Sequence, residues 1–146
     1  MKGLITRETW LSLLAQASAE ELDSLRDTMQ PNQKIQVMKT PTPGTTLVRA
    51  RMGSTGNQFN AFEVVTTKCV IKSEQGIVGY GWRLGDCCEE VELAAILDSE
   101  LQIQPEDSLV WEQLRQISQR LSQEHLESAK LAASTKVDFT TMVRGE

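Results

Sequence analysis

Apolar residues near the start of the chain recur at helical spacing. Trp10, Leu13, Leu14 and Ala17 follow Thr6 at intervals of three and four, which predicts a helix starting just after that threonine. Ser18 and Glu21 form a Ser-x-x-Glu capping box, each side chain bonding the other residue's backbone N–H. A second short helix follows, with Leu22, Leu25 and Met29 on one face, and Pro31 ends it. From Ile35 the period changes to two. Ile35 and Val37 alternate with polar residues, Pro41-Thr42-Pro43-Gly44 predicts a turn, and Val48, Ala50 and Met52 alternate with Leu47, Arg49 and Arg51. After the 53–57 loop a third strand is expected over 59–72, with Val65, Thr67, Cys69 and Ile71 on one face. Ser73-Glu74-Gln75-Gly76 reads as a hairpin turn. The fourth strand places Val78, Tyr80, Trp82 and Leu84 on one side. Gly79 and Gly81 fall on the other, where a neighbour can approach closely.

Asp86 and Glu89 repeat the capping pattern ahead of Val91, Leu93, Ala94, Ala95, Ile96, Leu97 and Leu101. Pro105 suits the first turn of a last helix, along which Val110, Leu114, Ile117 and Leu121 recur. Neither Pro nor Gly interrupts it before Gly145. Carried to Thr135, it would be roughly 45 Å long at about 1.5 Å per residue. A compact chain of this size has a radius of gyration near ~15 Å, so the helix should overhang its own domain. Val137, Phe139, Thr141 and Val143 then alternate with Asp138, Thr140, Met142 and Arg144, as in an extended arm. The pattern predicts an α+β fold. It is an antiparallel four-stranded meander flanked by two N-terminal and two C-terminal helices, the last long and followed by the arm. Residues 1–104 form the expected core, and 105–146 the long helix and arm, within one domain overall.

Length and composition narrow the function classes. A chain of 146 residues can bury one core, and 40% apolar with 24% charged residues is ordinary for a soluble globular protein. The net charge of -5 argues against nucleic-acid binding, which needs clustered Lys and Arg to neutralise phosphates. The N-terminal residues lack the apolar run of a signal peptide, and no stretch nears the ~20 apolar residues of a membrane span. The three cysteines include an adjacent pair, Cys87 and Cys88, which suits a reducing cytoplasm better than a disulfide framework.

Candidate chemistry is sparse. Structural zinc takes four Cys or His ligands, and His125 is the chain's one histidine. Cys69 falls on the apolar face of a strand, where a thiol packs as a small hydrophobe. Cys87 and Cys88 fall in a first helical turn, where the dipole can lower a thiol pKa, but packing is the weightier reading. Glu89, Glu90 and Glu92 offer carboxylates for acid–base work, yet acidic first turns are also what the macrodipole favours. The best anion candidate is the loop with Arg51, Gly53, Ser54, Thr55, Gly56 and Asn57. Its glycines free backbone N–H groups, its hydroxyls add donors and its Arg supplies a planar fork. It lacks the Lys and spacing of a P-loop, and a plain strand-to-strand turn is the weightier reading. The clearest signal is the C-terminal arm. Leu126, Ala129, Leu131, Ala132 and Ala133 extend the helix's apolar content, and Phe139, Met142 and Val143 come almost at the chain's end. Folding back on its own core competes with docking into another chain, and docking is the weightier of the two. A partner interface is therefore expected over Leu126, Val137, Phe139, Met142, Val143 and Arg144.

Several segments, taken in order, also carry a likeness. Arg51-Met52-Gly53, Phe59-Asn60, Glu63, Thr67-Lys68-Cys69 and Gly79-Tyr80 resemble the central hairpin region of the phosphonate-metabolism G-subunit (PhnG) family. The likeness continues through Gly85, Glu92-Leu93-Ala94-Ala95, Asp98 and Leu101. The ending Val137-Asp138-Phe139-Thr140-Thr141-Met142-Val143-Arg144-Gly145 is similar to the family's C-terminal signature. Together the matches span most of the chain from the Trp10 helix onward. Two departures matter. Glu90-Val91 stand where the family pattern has His-Ala, and Asp86-Cys87-Cys88 replace the usual basic residues after Gly85. Any contact those groups make in relatives is absent or altered here.

The resemblance implies an α+β, non-catalytic subunit of a cytoplasmic carbon–phosphorus lyase core complex, with I-type, H-type and J-type subunits and an ATPase-like L-type subunit as partners. In that system the G subunit is required, with H, I and L, to join a phosphonate to ribose C1 of ATP. Adenine is displaced and a ribose 1-phosphonate 5-triphosphate forms. Glycosyl transfer is attributed to the I subunit, and later carbon–phosphorus cleavage to a radical-SAM iron–sulfur subunit. ATP is then a substrate of the assembly, and no cofactor or metal is expected on this chain. Isolated, the chain could self-associate through the arm.

Overall fold

A computed structural model describes residues 5–53 and 55–137. Two helices lead, α1 (Arg7–Gln16) and α2 (Ala19–Met29). Three strands follow, β1 (Ile35–Arg51), β2 (Gln58–Ser73) and β3 (Val78–Leu84), then α3 (Cys88–Leu101) and α4 (Val110–Ser134). Thr6 caps α1 by accepting from the Thr9 N–H, as its position before the apolar series predicts. The Ser18–Glu21 capping box is present with both of its hydrogen bonds.

The sheet is antiparallel in the order β1-β2-β3. It has three strands among the described residues, not the four expected. The two short strands expected before and after Pro41-Thr42-Pro43-Gly44 are one continuous β1. The reason lies in the edge position. The Gly85 N–H donates to the Val65 carbonyl at 2.8 Å, so odd-numbered residues of β2 bond β3 and even-numbered ones bond β1. Thr42 pairs with Lys68 and Gly44 with Thr66. Pro43, between them, therefore turns its backbone to the outer edge, where a missing N–H costs no ladder bond. Pro41 falls in the stretch where β1 bulges against β2, between Lys39 and Thr42. Prolines that end a central strand are tolerated here.

One face of the sheet is covered by α3. Cys69 and Ile71 of β2 pack there against Val91 and Ala95. Gly79 and Gly81 make the close approach possible, since a Cβ at either would lie 2.0 Å from the carbonyl oxygen of Ala95 or Val91 respectively. The larger core lies among the helices, with Trp10, Leu14, Leu22, Leu97, Trp111 and Leu114 in one cluster. The rings of Trp10 and Trp111 meet at 5.8 Å.

Two local expectations at the later helices are corrected. Asp86 does not cap α3: the helix starts at Cys88 behind Cys87, with no side-chain cap. Thr67 holds that junction from β2 instead, donating to the Gly85 carbonyl at 2.7 Å and accepting from the Cys87 N–H at 3.4 Å. Pro105 likewise precedes α4, which starts at Val110. Its carbonyl accepts from the buried Trp111 indole at 2.7 Å. α4 has 25 residues, a length of about 37 Å at about 1.5 Å per residue. Its first half enters the core through Val110, Trp111, Leu114 and Ile117, whereas every described residue from 122 to 137 is exposed. The expected overhang is there.

Candidate functional site

The densest buried polar cluster centres on Asp98, which is fully buried on α3. Its Oδ1 accepts from the Trp10 indole at 2.8 Å and Arg7 Nε at 3.3 Å. Its Oδ2 accepts from Arg7 Nη2 at 2.7 Å and the Tyr80 N–H at 2.9 Å. The Asp98 carboxylate raises the Arg7 pKa above its ordinary value through hydrogen bonding, against the opposing effect of burial. Arg7 Nη2 and the Gln102 amide both donate to the Val78 carbonyl, at 3.0 and 2.9 Å. Tyr80 and Val78 direct these backbone groups away from β2, so the cluster satisfies the part of the open β3 edge at these two residues. Both carboxylate oxygens are committed to protein donors. The arrangement fixes α1 and α3 against β3, and leaves no lone pair aimed at a ligand. In the sequence Asp98 stands out only within the family likeness; the signal that could have found it is a carboxylate set among the buried positions Leu97 and Leu101 of α3.

A second guanidinium does similar work. Arg83 reaches from β3 to the end of α1, donating to the Leu14 and Ala17 carbonyls at 2.7 Å each. Those are carbonyls that a helix terminus leaves unpaired. Arg120 of α4 grips Glu21 with two bonds of 2.7 and 2.8 Å and holds Glu124 at 2.7 Å. The Arg120 hydrogen bonds draw the Glu21 pKa below the usual carboxylate range, against the contrary effect of burial.

The cysteines are placed for packing. Burial pushes the Cys69 thiol up to about 11, with the charge of Glu92 adding to it. Desolvation and then neighbouring Asp86 raise Cys88, whose Sγ donates toward the Pro41 carbonyl and an Asp86 oxygen, each 3.7 Å away. A helix dipole alone favours the opposite shift; here the local carboxylate and the lost hydration win. Glu89, Glu90 and Glu92 line a groove between α2 and α3 together with Asp23, Arg26 and Leu93. His125 is exposed on the outer half of α4. No group of three or more His, Cys, Asp or Glu side chains among the described residues can hold a metal ion.

The loop with Arg51, Gly53, Thr55 and Gly56 lies at the tip of a two-stranded ribbon; Ser54 is outside the described residues. Two of its donors are turned inward. The Gly56 N–H donates to the Met52 carbonyl at 2.9 Å, and Arg51 Nη1 to the Gly56 carbonyl at 3.4 Å. Gly53 takes the left-handed conformation, φ 62°.

Exposed apolar residues among the described ones include three surfaces that matter for docking. On α4, Leu126 is 52% and Leu131 71% exposed, and Val137 beyond it 68%. Phe139, Met142, Val143 and Arg144, the rest of the expected interface, lie outside the described residues. The second surface is the ribbon. Past the Thr66–Leu84 pair and Gly85, β1 and β2 continue without β3, exposing Leu47, Phe59 and Phe62. The third is the sheet face away from α3, which presents Tyr80, Trp82 and Leu84. No helix among the described residues is long and apolar enough to cross a membrane.

Comparison with known proteins identifies relatives. The family model described as "Phosphonate metabolism protein PhnG" matches residues 5–145. A Rhizobium meliloti protein, alpha-D-ribose 1-methylphosphonate 5-triphosphate synthase subunit PhnG, is 33% identical over 144 residues, covering 99% of this chain and 92% of its own length.

Proposed function

This chain belongs to the PhnG family, and on that premise we propose that it is a required, non-catalytic subunit of a cytoplasmic carbon–phosphorus lyase system. The assembly transfers the ribose triphosphate moiety of ATP to an alkylphosphonate. A phosphonate oxygen forms a bond to ribose C1, the C1–N bond to adenine breaks, and adenine leaves. This chain contributes docking rather than bond-making, and the I-type subunit carries the transfer. H-type, J-type and L-type subunits complete the system. The relative's name supports the reading, since it describes a synthase subunit.

The observation that carries the docking role is the bare outer half of α4. A soluble helix draws most of its stability from packing one face, yet α4 is exposed from residue 122 onward while still presenting Leu126 and Leu131. Leu126, Val137, Phe139, Met142, Val143 and Arg144 form the proposed interface with the I-type subunit, the unit 105–146 serving as its arm. Deleting residues 137–146 is expected to abolish co-purification with that subunit and leave the circular dichroism of the domain intact. Full co-purification of the truncated chain would refute the assignment. A rival reading gives the Arg51, Gly53, Ser54, Thr55, Gly56 loop an anion-binding role in the active site. Calorimetry with ATP on the isolated chain tests it: stoichiometric binding lost in Arg51→Ala supports the rival.

A further inference from the structure

Cross-strand partners point to the same face of a sheet, so the register defines what covers each side. Tyr80 pairs with Val70 and through it with Lys39; Trp82 pairs with Lys68 and Thr42; Leu84 pairs with Thr66 and Gly44. Lys72, between Gln36 and Val78, belongs to the same face. The face continues onto the ribbon through Val64 and Phe62. Tyr80, Trp82, Leu84 and Phe62 are 49%, 42%, 62% and 58% exposed. Three lysines sit among them with no carboxylate on the strand positions, because Glu63 belongs to the opposite face across from Leu47. The imbalance extends to the whole segment: residues 34–84 hold seven Lys or Arg against Glu63 and Glu74, while the full chain is acidic at -5.

This face is also concave at one side. Leu11 and Ala15 of α1 stand beside Tyr80, Trp82 and Leu84 and enclose a groove of about 450 Å³. Its lining is side chains rather than free strand edge, and the Asp98 cluster already occupies the edge of β3 at Val78 and Tyr80. An added strand therefore finds the Val78–Tyr80 stretch of that edge already taken. A helix has a seat, as α3 has on the other face.

Accepting the subunit reading above, we propose that the open sheet face receives an amphipathic helix of a companion subunit, its apolar side set in the Leu11–Trp82–Leu84 groove and its carboxylates over Lys68 and Lys72. Large aromatics in a desolvated pocket with charged residues at the rim are the arrangement that concentrates binding energy in protein interfaces. The two proposed interfaces share no residue, so variants in one leave the other to be read.

The test is hydroxyl-radical footprinting of the free chain and of the assembly purified with its companion subunits. Oxidation of Trp82 and Tyr80 is expected to fall several-fold on assembly, while the already buried Trp10 and Trp111 stay unchanged. The variants Lys68→Glu/Lys72→Glu and Trp82→Ala/Leu84→Ser change exposed residues. Each is expected to keep native circular dichroism, lower recovery of the assembly several-fold, and leave the arm's contribution detectable. Trp82 equally reactive in the free and assembled states overturns the inference while the subunit reading stands. Protection that grows with concentration of the chain alone assigns the face to a second copy, and protection by phosphatidylglycerol vesicles assigns it to an anionic surface; either overturns the inference. If no companion subunit co-purifies at all, both readings fall.

Discussion

Asp98→Asn removes one acceptor from a site where four donors converge. The substitution preserves size, so packing stays constant, and what changes is the hydrogen-bond inventory together with the charge that pairs with Arg7. Asn keeps one acceptor oxygen and replaces the other with an amide that brings two hydrogens of its own. Whichever way it turns, two donors face a donor: Arg7 Nη2 with the Tyr80 N–H, or Arg7 Nε with the Trp10 indole. A buried N–H left without an acceptor costs about 1–3 kcal/mol. The Arg7 side chain is 39% exposed and can turn to water, so its loss is discounted to about 1 kcal/mol or less. The sum is about 1–4 kcal/mol, from a total stability of about 5–15 kcal/mol for a domain of this kind.

Urea unfolding followed by circular dichroism measures this directly. A heat scan should show Tm lowered by roughly 10 °C, taking about 3–5 °C per kcal/mol for a domain of this length. Arg7→Met leaves Asp98 buried without its cation and should also destabilise. The double variant Asp98→Asn/Arg7→Met should lose less than the two single losses combined, because neither partner is then left facing an absent one. An Asp98→Asn protein within about 0.5 kcal/mol of wild type, the range of surface substitutions, refutes the account of Asp98 as the joint between α1, α3 and the β3 edge.

Four further outcomes follow from the same contacts. Gly81→Ala puts a methyl 2.0 Å from the Val91 carbonyl oxygen; moving α3 off the sheet should cost about 1–3 kcal/mol or more in urea unfolding, and a neutral result contradicts the close packing. Burial alone raises the Glu100 pKa, so its ionisation opposes folding above the ordinary carboxylate range. Glu100→Gln should therefore raise the urea midpoint at neutral pH, with the gain vanishing once the pH falls below the unfolded-state value. Glu21 is the opposite case: its folded pKa is lowered, so its contribution is full above the unfolded value and lost as the pH falls through the folded one. A Glu21→Gln/Arg120→Ala double-mutant cycle should give about 1 kcal/mol of coupling at neutral pH and lose it in acid, discounted because Arg120 is partly exposed. Iodoacetamide at neutral pH should leave Cys69, held near 11, unmodified and label Cys88 slowly; rapid Cys88 alkylation contradicts the placement of Asp86 and Pro41 around it.

The helices were largely legible because their signals are local. Thr6, the Ser18–Glu21 box and the apolar spacing of α2 and α4 act within one or two turns, and the structure reproduces them. The hairpin at 73–76 was equally readable, with Gly76 at φ 83°. What failed depends on neighbours distant in sequence. Pro41 and Pro43 look like a turn until β1 is known to be an edge strand with Pro43 turned outward. Asp86 looks like a helix cap until Thr67, from another strand, takes over the junction. The period of β3 separated its two sides correctly, but period alone cannot say which side is the core. The glycine side is buried, because α3 comes close enough to exclude any Cβ, and the aromatic side is bare. Asp98 was legible as a position and not as a hub, since its donors come from α1 and β3. Of the candidate site, Leu126 and Val137 are exposed, and the remainder of the arm lies outside the described residues.

The bare surfaces and the folding determinants do not coincide, and that separation is itself informative. The body is held by the Trp10–Trp111 cluster, the Asp98 joint and the Arg120–Glu21 clasp, none of which uses the ribbon or α4 beyond residue 124. A two-stranded ribbon is at best marginal in water, and a helix without a packed face gains little beyond its own propensity. Neither element therefore adds much to the free chain, and both extend apolar residues into solvent. On the docking reading proposed above, their contribution is realised on contact with another polypeptide. Substitutions at Leu126, Leu131, Phe62 or Trp82 should accordingly leave the melting curve of the isolated chain nearly unchanged and reduce assembly. Substitutions at Asp98 or Gly81 should lower the melting curve first, and reduce assembly only through the fraction unfolded. A Trp82 or Leu126 variant that melted as early as Asp98→Asn would mean those surfaces are already packed in the free protein, and the division between body and docking surfaces would be wrong.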